Sequence, residues 1–455
     1  MRSNSVVSGH VDSRPLEPYS SAHSIAMSTL GGLLGGLGGA TTAVLVTTLI
    51  KRILAVVASQ GTWGLLGLPL VGLVLAVVIL QGYDHGKALQ SLAPAPSYPA
   101  GRVRWRLRWK DPRDVIRADL TADVLATAGE EERFPWRLAP IRALAIVATV
   151  GLGGPMGTES PAAHLGVAAG VWLTDRGRWR RQLVRPAGVG GGAAGVAALV
   201  GIPLVGTVFM LELGRRRNIP LSAERVIAAL MGGMIGWAIN DTFNLDLISL
   251  NVPEIGPGDL LHAVATALVA GASAGIIASL TGIAIYKVRG WHSFPTFRLA
   301  AGGAAVLAAS LAVAVIAIPS AAVGPGAGAA AWASTTNAGM KTMLAVALLR
   351  AAATTAAVAA GGCGGVFVPF LAIGDIAGRA FAPAFGVASE LAGAAGAAGG
   401  IAGGYRLPFT AVVLVLGLGA PYGATLTCLA TVGVATLAGT GAALALDRIS
   451  SRARR

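Results

Sequence analysis

The chain has 455 residues, of which 54% are hydrophobic and only 12% charged. A soluble chain carries roughly a quarter of its residues as Asp, Glu, Lys or Arg, so the composition excludes an ordinary water-soluble globular protein and predicts a polytopic membrane protein. The net charge of +14 does not point to nucleic acid, because the arginines gather in loops beside apolar runs: Arg102 to Arg117, Arg176 to Arg185, Arg215 to Arg217 and Arg452 to Arg455. Excess Lys and Arg in short loops marks the cytoplasmic side, so both termini are expected inside; the expected location is the plasma (inner) membrane. Glycine, at 64 residues, has about twice its usual share. Helices in this chain are therefore expected to pack backbone to backbone.

Residues 1–27 are polar and have no apolar segment ahead of a cleavage site, so they read as a disordered cytoplasmic tail rather than a signal peptide. Apolar runs predict helices at 28–57 and 62–82. A polar, basic stretch follows at 83–136, with a short helix from about Arg113 to Ala128. Residues 137–153 then lead into GLGGPMGTESPAAHLGVAAG, Gly151 to Gly170. This segment lies in apolar sequence yet carries two prolines, Pro155 and Pro161, and an acid, Glu159. Between Arg142 and Asp175 the ionisable side chains are Glu159 and His164 alone. A carboxylate at membrane depth marks a functional site by default. The Gly/Pro pattern predicts a helix that stops near Gly154 and another that starts at Glu159 to Pro161. The free N–H groups at such a start form an anion site.

Helices are predicted next at 160–174, 188–200, 203–214, 221–240, 257–288 and 296–322. Residues 340–361 lead to a second break, followed by helices at 367–386, 389–404, 407–417 and 420–446. Several are too short to span a bilayer, and short interrupted segments at matching places in two halves point to a transport site. The halves match. Gly157-Thr158-Glu159-Ser160-Pro161 aligns with Gly365-Val366-Phe367-Val368-Pro369, each followed by two glycines at equal spacing. Ile202-Pro203-Leu204 through Gly214 aligns with Leu407-Pro408-Phe409 through Gly419. The expected organisation is a first membrane repeat at 28–217, a second at 218–446 and a basic cytoplasmic tail at 447–455. The expected fold is all-α, with two inverted-topology repeats whose broken helices meet at a central anion site.

With both breaks in hand, the chain resembles the CLC family of chloride channels and proton/chloride antiporters. Residues 157–161 are similar to the family's G-[KR]-E-G-P motif, and residues 365–369 fit its G-x-F-x-P motif. The resemblance covers roughly 28–446 and implies a homodimer with one pathway per subunit. It also implies a divergent prokaryotic-type member without C-terminal regulatory domains. It makes Glu159 the gate and places the anion among Gly157, Thr158, Ser160, Pro161, Gly365, Val366, Phe367, Val368 and Pro369. The family's serine-bearing G-S-G-I-P motif is absent; its best placement, Arg117 to Thr121, puts Ala118 at the inner gate. The inner glutamate of proton-coupled members falls on Leu213, with Glu212 one place earlier. The family's C-terminal tyrosine is absent, since no Tyr follows Tyr422.

Plainer readings stand beside these. Glu159 could satisfy a helix dipole. His164 reads first as a packed histidine and second as a proton carrier. Glu212 reads first as an acid at the rim beside Arg215 to Arg217, and second as part of a proton path. Asp119 and Thr121 read as ordinary helix-start residues. Cys363 and Cys428 read as buried thiols, neither disulfide nor metal ligands, and no cofactor or metal is expected. The function expected is transport of chloride or a similar small anion, as a channel or with protons as partner, in contact with the lipid bilayer. A fluoride exporter of the same fold is the variant. The reading from another class is an intramembrane hydrolase using Ser160 and His164, which lie one turn apart.

Overall fold

The structure is a computed structural model; it describes residues 21–82, 120–175, 179–243, 250, 252–253, 257–291, 293–419 and 425–452. In chain order the helices of the first half are α1 (Ser21–Ala58), α2 (Thr62–Gly82), α3 (Leu120–Ala126), α4 (Ala139–Ile146), α5 (Glu159–Thr174), α6 (Arg180–Val200), α7 (Pro203–Arg216) and α8 (Ala223–Phe243). The second half holds α9 (Leu260–Arg289), α10 (Pro295–Ile316), α11 (Pro319–Ala322), α12 (Ala327–Thr335), α13 (Met340–Ala360), α14 (Phe367–Arg379), α15 (Ala382–Phe385), α16 (Ser389–Tyr405), α17 (Pro408–Gly419) and α18 (Leu426–Arg452). Eight of the described helices are long and apolar enough to cross a membrane. The protein is an all-α, multi-pass integral membrane protein. At 1.5 Å per residue α1 is about 57 Å long, well beyond a hydrocarbon layer of about 30 Å, so it tilts or projects.

The two halves repeat one another at the level of single backbone groups. A π-helical turn, Val147–Gly151, prolongs α4; α4 and α13 both lead to a break. At each, a glycine takes positive φ: Gly153 at 88° and Gly361 at 97°. Each is followed by a glycine whose N–H reaches back five residues, Gly154 to Thr149 O (2.8 Å) and Gly362 to Ala357 O (2.9 Å). The alignment that pairs Gly157 with Gly365 carries each of these positions onto its counterpart.

Helix contact follows the same rule. Gly166 of α5 and Gly191 of α6 face each other so closely that a β-carbon on either would lie 2.1–2.2 Å from the other's carbonyl oxygen. Their counterparts, Gly374 of α14 and Gly396 of α16, do the same at 2.4 and 2.1 Å. Helices α7 and α17 cross so that each start meets a late turn of the other: Glu212 of α7 lies at the start of α17, and its counterpart Gly417 lies against Ile202 at the start of α7. The repeats are therefore inverted, and their broken helices meet in the middle of the fold.

Several boundaries differ from expectation. Helix α1 begins at Ser21, so residues 21–27 are helix rather than tail; the Ser24 hydroxyl fixes them by donating to Glu224 (3.1 Å). Helix α6 begins at Arg180 rather than 188, because Arg, Gln and Leu are good helix formers and Pro186 removes only one donor. The run at 296–322 is broken at Ile318, which the following Pro319 forces into extended backbone. Helix α12 was not expected. The run at 367–386 stops at Arg379 and resumes as the short α15, with Pro383 in its first turn. Helix α18 spans 426–452, so residues 447–452 are helix rather than tail. Residues 1–20, 83–119 and 453–455, and with them Ala118, Asp119 and the start of the helix expected at Arg113, lie outside the described residues, as does Tyr422.

Candidate functional site

Gly157 and Gly365 form an isolated antiparallel bridge, each N–H donating to the other's carbonyl at 2.7 Å. Each is followed two residues later by the first residue of a helix, Glu159 for α5 and Phe367 for α14. The bridge thus holds two helix starts side by side, with proline third in each, where its missing N–H is one of the uncommitted donors. Space at Gly365 is tight: a β-carbon there would sit 3.0 Å from Ser160 Cβ and Oγ and from Pro161 Cδ, so any side chain would press on the start of α5. Pro161, Val366, Phe367, Val368 and Pro369 are all buried around this point.

The Glu159 side chain is 4% exposed. Its Oε1 accepts the Thr158 hydroxyl at 3.2 Å, and Oε2 has no hydrogen-bond partner. The carboxylate folds back over Gly157, where a β-carbon would lie 2.8 Å from Oε2, and the amides of Thr158, Glu159 and Val368 face it. A void of about 20 Å³ beside it is walled by Leu199, Val200, Phe367, Leu371, Leu414 and Leu418. That is room for one particle of water size. A carboxyl group already occupies a place where N–H dipoles converge and where a small anion could exchange its hydration shell for amides.

Ser160 points the other way. Its hydroxyl is hydrogen-bonded to that of Tyr405, which also meets Thr121 Oγ1 at 2.9 Å. The Tyr405 ring stands edge-on to Phe367 (5.2 Å) and Phe370 (5.9 Å), and Phe367 stands edge-on to Phe209 (6.0 Å). Three hydroxyls from α3, α5 and α16 therefore meet beside the helix starts, framed by aromatic rings. Thr121 is thus more than an ordinary helix-start residue. Sequence reasoning missed Tyr405 because it looked for a tyrosine only after Tyr422. The available signal was a phenol at the end of a Gly/Ala-rich helix, where a buried O–H must find a partner.

Other expected residues lie elsewhere. His164 is fully buried, its Nε2 lies 3.3 Å from Arg142 Nη1, and its ring is tilted on Phe134 at 4.9 Å. Arg142 in turn bonds Asp123, whose side chain is 29% exposed. The Ser160 hydroxyl engages Tyr405 and the His164 ring engages Arg142, so the nucleophile and base of the hydrolase reading are not joined among the described residues. Glu212 is buried, with Arg216 near enough to act on it electrostatically. Its carboxylate caps α17, accepting Phe409 N (3.1 Å), Thr410 N (2.9 Å) and Thr410 Oγ1 (2.7 Å). The start of α17 supplies free N–H groups, and an anionic acceptor there is favoured over a solvated one. Leu213 is buried in the core. Both cysteines are free and buried. Buried Arg350 commits its guanidinium to the carbonyls of Ala321, Ala322 and Gly324.

Comparison with known proteins agrees with this geometry. Residues 119–440 match the family model described as voltage gated chloride channel. The H(+)/Cl(-) exchange transporter ClcA of Yersinia pestis bv. Antiqua (strain Angola) is 26% identical over 319 residues, 66% of this chain and 65% of that protein. The chain thus spans less than two thirds of the curated relative's length, as it does for the ClcA of Klebsiella pneumoniae (strain 342), 26% identical over 62% of this chain and 61% of that one. A chloride/fluoride channel protein of Pseudomonas syringae pv. tomato is 30% identical over 154 residues, 33% of this chain and 31% of that protein. Among solved structures, a CLC-type fluoride/proton antiporter superposes with a TM-score of 0.68 at 20% identity, covering 92% of this chain and 96% of that one. A slow cyanobacterial Cl-/H+ antiporter superposes at 0.65 and 17% identity, covering 93% and 94%. With its paired breaks, inverted halves and a family match over most of its length, the chain belongs to the voltage gated chloride channel (CLC) family.

Proposed function

We propose that this protein carries chloride or a similar small anion across the membrane along a path between the starts of α5 and α14, with Glu159 as its gate. The observation that carries the reading is the Gly157–Gly365 bridge, which aims two helix starts at the spot that the Glu159 carboxylate covers. Helix ends offer partial charges of about half a unit. These hold an anion firmly enough to admit it and weakly enough to release it. Ionised Glu159 competes for the same amides; protonated or displaced, it leaves them to the anion. On the other side, the Ser160 and Tyr405 hydroxyls bond each other when the spot is empty and turn to the anion when it is filled.

The capping role of Glu212 supports transport with weak or absent proton coupling, because this carboxylate is committed to α17 rather than free to relay a proton. Residues 28–217 and 218–446 act as the two repeats. The basic loops orient both termini to the cytoplasm of a plasma-membrane protein. Exposed apolar side chains on α8, α17 and α18, among them Trp237, Phe409 and Leu437, suit a homodimer contact.

Liposomes holding purified protein and loaded with chloride or fluoride test the reading. Halide efflux with simultaneous pH recording is expected, altered by Glu159→Gln. No flux of any halide under any gradient rejects it.

A further inference from the structure

The loops ahead of the two bridging glycines are held by threonines, each lent by the opposite half. Thr354 of α13 donates its hydroxyl to the Pro155 carbonyl at 3.0 Å. The Cys363 N–H donates to the Thr149 hydroxyl, also at 3.0 Å. Pro155 and Cys363 are counterparts: each lies two residues before its bridging glycine, Gly157 or Gly365, and four before the first residue of the helix that follows. Both threonines are 0% exposed, so bulk water reaches neither bond.

The threonines themselves are not counterparts. The position equivalent to Thr149 in the second half is Ala357, and the one equivalent to Thr354 in the first half is Ile146. Copying one half would therefore not produce both bonds; one loop position is tied in each half from a different helix position. Thr149 sits in the π-helical turn Val147–Gly151, an irregularity that recurs at functional sites. The ties also run crosswise. The helix leading into the second break holds the loop of the first, and the turn leading into the first break holds the loop of the second. With the Gly157–Gly365 bridge, each loop is fixed to the other half at two points, just ahead of the amides that face Glu159.

We propose that Thr149 and Thr354 are positioning residues that set the distance between the starts of α5 and α14, and through it the size of halide that the site prefers. The proposal rests on the transport reading and adds the determinant of its size selectivity. Each threonine acts through the backbone of the opposite loop rather than on the anion. Donors held at a fixed spacing distinguish ions by radius, whereas donors free to relax admit a larger ion. Without its threonine partner the Pro155 carbonyl or the Cys363 N–H is left buried and unpaired, and the loop shifts to relieve it.

Halide flux in liposomes holding Thr354→Val or Thr149→Val provides the test, since valine keeps the shape of threonine and removes the hydroxyl. The readout is the ratio of half-saturating concentrations for iodide and chloride. Wild type should favour chloride, and each valine variant should bring the ratio closer to one by about threefold or more. Thr354→Ser and Thr149→Ser keep the bond and should keep the wild-type ratio. Alanine at either position removes the bond without pressing a methyl group on the orphaned partner and should act as valine does, so the test does not depend on the valine variants folding. Thr207 is the control: it is equally buried, and its hydroxyl donates to the Ala229 carbonyl of α8 at 3.1 Å. Thr207→Val should lower stability comparably and leave the ratio unchanged. Folded, conducting variants at Thr149 and Thr354 that keep the wild-type ratio overturn the proposal. So does a Thr207→Val variant that shifts the ratio equally, or a wild type that carries iodide as well as chloride or better; all three leave the transport reading standing. A wild-type protein that moves no halide overturns both.

Discussion

The two breaks share a backbone and differ in chemistry. At the first, Thr158-Glu159-Ser160 carries a hydroxyl, a carboxylate and a second hydroxyl; at the second, Val366-Phe367-Val368 carries only hydrocarbon. Both have the same left-handed glycine, the same reach-back hydrogen bond and the same proline. The shared part presents amides. The unshared part differs, with a carboxyl between two hydroxyls at the first break and a phenylalanine between two valines at the second. Duplication thus supplies the paired helix starts, and three side chains at each break distinguish them.

This comparison can be broken or sharpened experimentally, and the largest effect should come from the shared backbone. Gly396→Val puts a branched side chain where a β-carbon already meets the Gly374 carbonyl at 2.1 Å. Overpacking of this degree should cost about 3 kcal/mol or more, read as loss of folded, monodisperse protein in detergent. Gly191→Val should do the same in the first half if the halves are equivalent. Next, Glu159→Gln should raise halide flux at neutral pH about tenfold and flatten its dependence between about pH 5 and 8, since the tethered competitor is then neutral at every pH. Flux that still follows pH as in the wild type would assign the gate elsewhere.

Tyr405→Phe keeps the ring against Phe367 and removes one hydroxyl. Loss of one hydrogen bond of about 1 kcal/mol should raise the half-saturating anion concentration about fivefold. Glu212→Gln weakens the cap on α17 and should lower stability by about 1 kcal/mol in a thermal melt, leaving any proton-to-anion ratio unchanged; a fall in that ratio would restore Glu212 to a proton path. The smallest effect should come from Glu132, in the loop outside the spans. Two 3.0 Å bonds from Arg185 hold its carboxyl below the usual range. A lowered pKa stabilises the fold above the ordinary carboxylate range, and that contribution is lost as pH falls through it. The pair is partly solvated, Arg185 at 60% and Glu132 at 34% exposure, so Glu132→Gln should cost under about 1 kcal/mol.

Much of the site was legible in the sequence because it is made of backbone. Gly and Pro declare where a helix stops and starts, so both breaks, Glu159 and the pairing of 157–161 with 365–369 could be read from one chain. What could not be read were contacts made by side chains across long separations. Tyr405 meets Ser160 and Thr121 through three different helices, and Glu212 finds the start of α17 almost two hundred residues downstream. Neither contact leaves a periodic trace. The division of 296–322 was written in Pro319 but masked by the apolar run around it. Ala118 lies outside the described residues, and the hydroxyls near the helix starts come from Ser160, Thr121 and Tyr405.

The bridge between Gly157 and Gly365 also bears on how the chain is made. Each glycine satisfies the other's peptide group, so the first break cannot close until the second has been synthesised, roughly 200 residues later. At about 5–20 residues per second the ribosome needs on the order of 10–40 s for that interval. Throughout it, the newly inserted half carries an open peptide and an acid inside the bilayer. Biogenesis of this protein therefore includes a defined wait, during which water, lipid headgroups or the insertion machinery must shield Gly157 until its distant twin arrives.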